Sequence, residues 1–334
     1  MSILDSDRTR LWRLQRIIAP ELERFDRAYA ELLRGETPLI DAVCRHILQG
    51  KSKRFRPTLL LLAAKADGPV PDHAITAAVG VELIHTATLL HDDFIDEADT
   101  RRGRPSVNHA WGPSTALVMG DYLYSKALAA LSGAGLFDAV ALLAGTTLKM
   151  SQAEMMQIET QGDLDIPEET YLEIIERKTA SLIESACRIG ASLNPAAADH
   201  QEAFGAFGHH TGMVFQITDD IFDYLGDERR LGKPTGQDWE EGRITLPLIA
   251  ALRQAPAAAR EELLAAVRVL EPGERHTAWP RVKAFVLEHD GVTYAREVAR
   301  RHGERAKAAI AGLAEGPQLD LLAVSVEYVL KRLN

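Results

Sequence analysis

The sequence predicts an all-α protein that folds as a single domain over residues 1–334. Apolar residues recur at helical spacing from the first turn to Leu333, and the alternating pattern of strands with hairpin turns is missing. Glycine and proline cut the chain into pieces of helix length. Because 46% of the residues are hydrophobic, such a bundle of helices can bury a large core.

Breaks between predicted helices follow one another along the whole chain. Early breaks fall at Pro20, at Gly35 to Pro38, at Gly50 and at 68–71. After them, a long apolar helix is predicted from about Asp72 to about Asp99. Another helix start is predicted at 165–169, where a proline stands early and acidic residues fill the first turn. The remaining breaks lie at 103–105, 112–113, 133–135, 162–167, 190–195, 226–236, 242, 256, 272–273 and 316–317.

Charge, cysteine use and hydropathy exclude several classes of protein. The net charge of −10 and the pI near 5.6 argue against nucleic acid as a partner. Cys44 and Cys187 show neither metal-ligand nor redox spacing, which fits a reducing cytosol. Met1 to Arg13 has no apolar signal core, and the longest aliphatic run, Leu59 to Ala64, is too short for a membrane span. We therefore expect a cytoplasmic protein without a transmembrane segment.

Two copies of an Asp-Asp-x-x-Asp motif, at 92–96 and 219–223, are embedded in apolar helical runs. The spacing puts the outer carboxylates of each copy one turn apart on one helix face, where like charges repel by a few tenths of a kcal/mol. A single copy is as easily a solvated acidic face, but two copies within apolar stripes require a counter-ion. Carboxylate oxygens on two helices suit Mg²⁺, which fills its other positions with water and phosphate. The motifs therefore predict a diphosphate held through Mg²⁺.

Basic clusters lie beside loops, and two of them directly follow the acidic motifs. A cluster of this kind is most often a solvated charge run, but here the cations can fold over an anion whose other side is held by metal. Walker A and Gly-x-Gly-x-x-Gly patterns are missing, which argues against a nucleotide and favours a diphosphate on an apolar molecule. The clusters are Lys51, Lys53, Arg54 and Arg56; Arg101, Arg102 and Arg104; and Arg229, Arg230 and Lys233.

Together these motifs resemble the trans-isoprenyl diphosphate synthases of the polyprenyl synthetase family, over nearly the whole chain. The resemblance implies an all-α bundle around a deep central cavity, a homodimer, and about three Mg²⁺ ions per active site. The matching segments are 50–57, 89–97 with Arg101-Arg102-Gly103, Lys178-Thr179, 215–223, and the lysine loop from Gly232 to Asp238 with 245–247.

The resemblance also assigns roles to individual residues. Lys178 through its backbone, Thr179 and Gln216 would steady the carbocation formed when the allylic carbon–oxygen bond ionises. The diphosphate that leaves would take the final proton. The metal ligands would be Asp92, Asp96, Asp219 and Asp223; the residues on the allylic diphosphate would be Arg101, Lys178, Lys233 and Arg243; those on isopentenyl diphosphate would be Lys53, Arg56, His85 and Arg102.

Some of these assignments depart from the family pattern or have an ordinary structural alternative. Lys51 and Lys53 compete for one binding position, and Lys53, three residues before Arg56, is preferred. Arg243 stands where relatives carry a lysine. The positive charge is kept, but a planar guanidinium replaces the compact ammonium group. A lone histidine such as His85 is usually a satisfied core residue, and a lysine among apolar residues such as Lys178 is usually a surface residue with a buried stem.

Product length is predicted from the residues just before the first acidic motif. Thr88 and Ala87 lie roughly 6 Å, or about one turn, before Asp92. Short-chain relatives block this level with aromatic rings, whereas small side chains allow a tail to pass. We expect a long product, hexaprenyl to decaprenyl, with geranylgeranyl diphosphate as the shorter alternative, and Ala87→Phe should shorten it. Candidates for the cavity floor are Met150, Met155, Met156 and Phe137.

Three other functions compete with this interpretation. A terpene cyclase shares the first motif, but its second metal site usually mixes Asn, Ser or Thr with Glu. A head-to-head condensing enzyme of the squalene type would not need Lys53 and Arg56. A non-catalytic subunit of a heterodimeric synthase usually loses one acidic motif, and both are intact here.

Overall fold

The computed structural model describes residues 15–50, 52–65, 68–101, 103–195, 197–226, 235–313 and 316–331. Over these residues the all-α prediction is confirmed, because the strands β1 (Thr100–Arg101) and β2 (Arg104–Pro105) form only one short antiparallel pair. The early helices are α1 (Ala19–Leu32), α2 (Pro38–Gln49), α3 (Phe55–Ala64), α4 (Asp72–Ile95), α5 (Val107–Trp111), α6 (Pro113–Gly133), α7 (Phe137–Glu159) and α8 (Glu168–Ile175). The later helices are a π-helix (Glu176–Ala180), α9 (Ser181–Leu193), a 3₁₀ turn (Ala198–His200), α10 (Gln201–Leu225), α11 (Gln237–Glu240), α12 (Leu246–Gln254), α13 (Ala257–Val267), a second 3₁₀ turn (Pro272–Glu274), α14 (Arg275–Glu288), α15 (Gly291–Ile310) and α16 (Pro317–Lys331).

Backbone contacts group the chain into two compact units. The first comprises Met1–Thr146, Leu182–Gly208 and Ala309–Ser325; the second comprises Thr147–Ser181, His209–Ala308 and Val326–Asn334. Each unit draws on segments that are distant in sequence. That the whole chain acts as one domain stays a prediction.

Helix α4 is the centre of the first unit and packs against α1, α3 and α6. Most of its residues from Ala74 to Leu90 are buried, so it is apolar nearly all round. Among the described helices, α4 alone is long and apolar enough to span a membrane, and 67% of the window concerned is buried inside the protein. A core helix of a soluble protein meets the same criterion.

The end of α4 differs from the prediction of about Asp99. The helix ends at Ile95, because Glu97 adopts a left-handed conformation with φ +49° and the Ala98 N–H donates to the Asp93 carbonyl at 2.9 Å. This closure satisfies carbonyls of the last turn in the manner of a Schellman motif. Asp96 is therefore the capping residue of α4, at the point where the chain turns towards β1.

The second unit has a hydrophobic core drawn from α8 and α10 to α15. Helix α14 packs against α11, α12 and α13, and α12 also contacts α8. Trp239 of the short helix α11 is buried and donates its indole N–H to the Arg275 carbonyl at 2.7 Å. This bond holds α11 at the start of α14. The first two residues of α11 in turn donate backbone hydrogen bonds to Asp223, the last residue of the second acidic motif.

A histidine pair joins α10 to α15 in the second unit. The Nδ1 atoms of His210 and His302 are 3.1 Å apart, and the His209 ring lies edge-on to His210. Burial lowers the pKa of both His210 and His302 to about 4, and the nearby His209, Arg301 and Arg305 add to this effect. Both rings are therefore neutral in the folded protein at neutral pH.

This pair predicts a loss of stability in mild acid. Since the folded pKa of about 4 lies below the usual value of 6.5, the unfolded chain binds more protons between these values. Stability should therefore fall as the pH is lowered from about 6.5 to about 4. The thermal unfolding midpoint across this range should depend on pH less steeply in His302→Gln. Equal slopes for both proteins would show that the pair does not cause the dependence.

Candidate active site

The first acidic motif divides its three aspartates between two environments. Asp93 is only 2% exposed and accepts a hydrogen bond from Arg101 Nε at 2.7 Å, with Arg101 Nη2 also in contact. Asp92 and Asp96 are half-buried. The central carboxylate thus holds β1 against the end of α4, while the outer pair keeps accessible surface on the last turn.

Arg101, predicted to contact the allylic diphosphate, is placed against Asp93. Its side chain is 39% exposed. A guanidinium has five donors, so the ion pair leaves further N–H groups for an anion. Arg102 lies outside the described residues, and its assignment stays a prediction.

A pocket of about 90 Å³ opens in the first unit next to this motif. It is bounded by the end of α2, the loop before α3, helix α4 and the β2 segment. Leu89, Leu90 and Val107 give it apolar surface, and its other lining residues include three arginines, two histidines and two carboxylates. These residues are His46, Arg54, His85, Arg101, Arg104, Glu82 and Asp93.

The pocket contains only some of the predicted binding residues. His85 and Arg101 line it, whereas Lys53 and Arg56 are not among its lining residues. Arg56 is nevertheless close, with Nη1 3.1 Å from His85 Nε2. Lys53 is exposed, and Lys51 lies outside the described residues.

His46, Arg54 and Arg104 line the pocket, although the sequence predicts no individual binding role for them. Arg54 and Arg104 belong to the basic clusters that the sequence shows, whereas no sequence pattern indicates that His46 lines a site. In the structure, Arg104 donates to Gln49 Oε1 at 2.6 Å, and His46 Nε2 is 2.9 Å from the Pro105 carbonyl oxygen. These bonds tie the β2 segment to α2 and shape one wall of the pocket.

Arg54 anchors the basic loop to α4. It has a left-handed backbone at φ +52°, and its guanidinium lies over the rings of Phe25 and Tyr29. Its Nη1 donates to Glu82 Oε1 at 3.3 Å, and its Nε donates to Asp26 Oδ1 at 3.1 Å. Glu82 has only 4% of its side chain exposed, so Arg54 neutralises a buried charge.

Arg54→Ala should therefore lower the free energy of unfolding by about 3 kcal/mol, because the buried Glu82 carboxylate loses its counter-ion. Urea denaturation measures this loss. Asp26→Asn is the matched control: it removes the exposed partner of the same arginine and should cost less than about 1 kcal/mol. Equal losses in the two variants would contradict the role given to Glu82.

The second acidic motif is also divided by burial. Asp219 is exposed, whereas Asp220 and Asp223 are 3% and 6% exposed. The Asp223 carboxylate accepts the backbone N–H groups of Gln237 at 3.2 Å and Asp238 at 3.1 Å, the first two residues of α11. Asp223, predicted near the metal, thus also caps a helix N-terminus.

Asp220 lies at the centre of a buried hydrogen-bond network. Tyr171 donates to Oδ2 at 2.5 Å and Gln216 Nε2 donates to Oδ1 at 2.8 Å. Burial raises the pKa of Asp220 well above its usual value, and the charge of Asp238 raises it further. The two hydrogen bonds act in the opposite direction by favouring the carboxylate.

Lys178 and Thr179 lie in the π-helix at Glu176–Ala180, which the sequence did not predict. Such bulges are frequent at functional sites. Lys178 Nζ is 2.5 Å from Glu154 Oε2 and 3.2 Å from Gln157 Oε1, and Thr179 Oγ1 donates to Gln216 Oε1 at 2.8 Å. The structure thus brings Thr179 and Gln216 together as a pair.

Close packing holds the π-helix against α10. A Cβ atom on Gly212 would come within 2.5 Å of the Ala180 Cα, so only glycine permits this approach. Gly212 lies one turn before Gln216 on α10. The approach therefore brings the end of the π-helix to the helix that carries the second motif.

Arg243 follows α11 and pairs with neighbouring acids. Its Nε donates to Asp238 Oδ1 at 3.1 Å, and Nη2 contacts Glu241. Its predicted contact with the allylic diphosphate stays a prediction. Lys233 lies outside the described residues, as do Arg229 and Arg230.

The residues predicted to control product length have unequal exposure. Ala87 is buried at 2% exposure, while Thr88 is half-buried and donates its hydroxyl to the His85 carbonyl at 2.8 Å. Of the floor candidates, Phe137 and Met155 are 66% and 58% exposed and lie on the surface of the chain.

The other two floor candidates are less exposed. Met156 packs against the core of the second unit, and Met150 is half-buried. A residue that stops a growing tail must lie inside the protein. Met156 and Met150 therefore fit that role better than Phe137 and Met155.

The donor chemistry of the motifs fits a hard divalent cation that completes its coordination with ligand oxygens. Among the described residues, no three His, Cys, Asp or Glu side chains converge tightly enough to hold a metal by themselves. Mg²⁺ commonly binds through one or two carboxylates and takes its other ligands from water and phosphate. Asp92 with Asp96, and Asp219, are the accessible carboxylates for this purpose.

Known proteins resemble this chain along most of its length. A family model described as polyprenyl synthetase matches residues 37–278. The octaprenyl diphosphate synthase of Haemophilus influenzae is 32% identical over 317 residues, 95% of each chain. A short chain isoprenyl diphosphate synthase of Methanothermobacter thermautotrophicus is 35% identical over 292 residues, 86% of this chain and 88% of that enzyme.

The fold also matches solved structures. A polyprenyl synthase from Caulobacter crescentus CB15, complexed with calcium and isoprenyl diphosphate, superposes with a TM-score of 0.89 at 28% identity. The match covers 97% of this chain and 98% of that one. The fold is of the isoprenoid synthase type, and the chain is a prenyltransferase that belongs to the polyprenyl synthetase family.

Proposed function

We propose that this enzyme condenses isopentenyl diphosphate with an allylic diphosphate to make long all-trans polyprenyl diphosphates, with Mg²⁺ as its metal. The observation that carries the proposal is the different burial of the aspartates within each acidic motif. Asp93 and Asp220 are buried and satisfied by protein partners, while Asp92, Asp96 and Asp219 keep accessible surface. Accessible carboxylates spaced along apolar helices suit metal ions that carry a diphosphate.

The cationic pocket beside the first motif supports the binding of a second anion. Its residues His85 and Arg101, with Arg56 hydrogen-bonded to His85, would supply donors for the isopentenyl and allylic diphosphates. Lys53 is exposed, two residues before the start of α3, and would add a positive charge for binding isopentenyl diphosphate. In the second unit, Lys178 would contact the allylic diphosphate from the π-helix.

The chemistry follows from electrostatics. Bound Mg²⁺ would supply Lewis-acid stabilisation of the leaving diphosphate. Lys178 and Arg101 would add fixed positive charge at the same group, and the Thr179 and Gln216 dipoles would stabilise the allylic cation. The isopentenyl double bond then attacks that cation, and the released diphosphate accepts the proton. This route requires no protein nucleophile.

Product length is part of the proposal. The small residues Ala87 and Thr88 support a tail that grows past the first motif, and hence a product of hexaprenyl to decaprenyl length. Relatives of similar identity include both an octaprenyl and a short chain synthase, so relatedness does not decide between them.

The test is to incubate the purified enzyme with Mg²⁺, labelled isopentenyl diphosphate and a panel of allylic starters, and to separate the dephosphorylated products by reversed-phase chromatography. We expect hexaprenyl to decaprenyl chains. Geranylgeranyl or farnesyl products alone would overturn the long-chain assignment but keep the reaction class. Cyclic or head-to-head products would support a terpene cyclase or a squalene-type enzyme.

A non-catalytic subunit of a heterodimeric synthase is the second candidate. It predicts no diphosphate release with any starter until a partner chain is added. Against it, both acidic motifs are intact and both keep accessible carboxylates. We propose a cytoplasmic homodimer, and light scattering of the purified protein measures the oligomeric state in the same preparation.

A further inference from the structure

Four side chains of the second unit form one continuous line of hydrogen bonds. It begins at Tyr171 on α8, passes through Asp220 and Gln216 on α10, and ends at Thr179 in the π-helix. The distances along it are 2.5 Å from Tyr171 to Asp220, 2.8 Å from Gln216 to Asp220, and 2.8 Å from Thr179 to Gln216. Tyr171 and Asp220 are 4% and 3% exposed, so water does not compete for the bond between them, whereas Gln216 and Thr179 are half-buried.

Tyr171 and Asp220, at the buried end of the line, decide which atoms of the other two side chains donate and which accept. The two hydrogen bonds that Asp220 accepts favour its carboxylate form, in which the Tyr171 hydroxyl occupies Oδ2 and Oδ1 is the acceptor that faces Gln216. An amide can turn over and exchange its oxygen and nitrogen, and its neighbours decide which end points where. Because Oδ1 accepts, the Gln216 NH₂ group must face Asp220, and the amide oxygen must face Thr179.

The orientation of the Gln216 amide also fixes the orientation of the Thr179 hydroxyl. A threonine hydroxyl has one proton, and Thr179 donates it to the Gln216 oxygen. Oxygen lone pairs are then what the Thr179 hydroxyl can offer to a ligand. If the amide turned over, its NH₂ group would donate to Thr179, and the hydroxyl proton would be released to point elsewhere. The polarity of both groups would reverse.

We infer that Tyr171 and Asp220 are positioning residues for prenyl transfer, which orient Gln216 and Thr179 so that both present oxygen to the allylic cation. The inference rests on the proposed function, in which these two dipoles stabilise that cation. A positive charge is stabilised by the negative end of a fixed dipole and destabilised by an N–H or O–H proton. Tyr171 contacts no substrate in this role and acts only through Asp220 and Gln216.

Tyr171→Phe tests the inference, because it removes one hydroxyl from a buried ring and keeps the ring itself. The single-turnover rate of condensation should fall about 10-fold. The KM values for both diphosphates should stay within about twofold, because binding does not depend on the line. Single turnover is used so that slow product release does not mask the chemical step.

Tyr294→Phe is the matched control. Tyr294 also donates its hydroxyl to a carboxylate of the second unit, Glu168, at 2.8 Å, and Glu168 is not one of the four side chains of the line. Its rate should stay within about twofold of the wild type. A tenfold loss in both variants would mean that the loss of any tyrosine–carboxylate bond has this effect, which would overturn the inference.

A double-mutant cycle separates positioning from general packing. In a Gln216→Met background, Tyr171→Phe should change the rate by less than about twofold, since the group it orients is gone. A full tenfold loss in that background would show that Tyr171 acts by another route.

Asp220→Asn is a second variant of unchanged shape that guards against misfolding of Tyr171→Phe. Its amide can present NH₂ to Gln216 and turn that side chain over, so the loss should reach about 100-fold and should also shrink in the Gln216→Met background. Thermal unfolding confirms that each variant is folded. An inactive wild type would overturn the proposed function and this inference together, whereas an active wild type with additive losses would overturn only the positioning role.

Discussion

Asp92→Asn is expected to lower kcat by at least about 10³-fold at saturating substrates. Asp92 is proposed as a hard metal ligand, and the loss of such a ligand removes several kcal/mol of transition-state stabilisation. Asparagine keeps the shape of the side chain but removes its charge. Asp92 is half-buried on the last turn of α4, one turn before Asp96. Steady-state release of diphosphate, measured over a titration of Mg²⁺, checks the result, and the variant should need more Mg²⁺ for half-maximal activity.

Asp99→Asn provides the matched control for this prediction. Asp99 follows the same motif, is highly exposed with 82% of its side chain in solvent, and lies 2.9 Å from His109 Nδ1. Its removal changes the net charge equally and should leave kcat within about twofold. Similar losses for Asp92→Asn and Asp99→Asn would point to a general charge effect and against a metal ligand at Asp92.

Thr88→Phe is expected to shorten the product by several isoprene units, to farnesyl or geranylgeranyl length. A phenyl ring at this position would fill the level roughly 6 Å below Asp92, one helical turn away, and a growing tail could not pass it. Thr88 is half-buried, so its side chain has accessible space that a ring can occupy. Chromatography of the dephosphorylated products measures the change in length.

Thr88→Val is the control for Thr88→Phe. It keeps the volume and removes the hydrogen bond to the His85 carbonyl, so product length should not change. A folded Thr88→Phe enzyme with the wild-type product pattern would show that the tail takes another route.

Ala87→Phe should shorten the product as well, but the structure adds a cost. Since Ala87 is only 2% exposed, a ring at this position must displace its neighbours, and overpacking of this kind costs about 1–3 kcal/mol. Ala87→Phe therefore requires an unfolding measurement beside the product assay. Thr88→Phe is the cleaner test of the same prediction.

Much of the local structure could be predicted from the sequence, because helices follow from the spacing of apolar residues and from their breaks. The start of α4 at Asp72 and of α8 at Glu168 agree with the predictions for these regions. The end of α4 does not, since Glu97 turns into a left-handed conformation that no residue type there indicates. The π-helix was missed for a similar reason, because it depends on the packing of Ala180 against Gly212.

The candidate site was predictable as a set of residue types and not as an arrangement. Two acidic motifs and the basic clusters beside them indicate metal and diphosphate from charge and spacing alone. Spacing could not show that Arg101 pairs with Asp93, or that Asp223 caps α11. It also gave no sign of the line from Tyr171 to Thr179.

The sequence by itself determined that the chain is helical and that Asp92 and Asp96, like Asp219 and Asp223, share a helix face. That information is local, because i and i+4 side chains meet wherever a helix forms. Only the tertiary structure decided which aspartates are buried and which keep accessible surface. Burial depends on partners far along the chain, as with Tyr171, which reaches Asp220 across 49 residues. The energy of a buried carboxylate is set by those partners, and no short motif contains them.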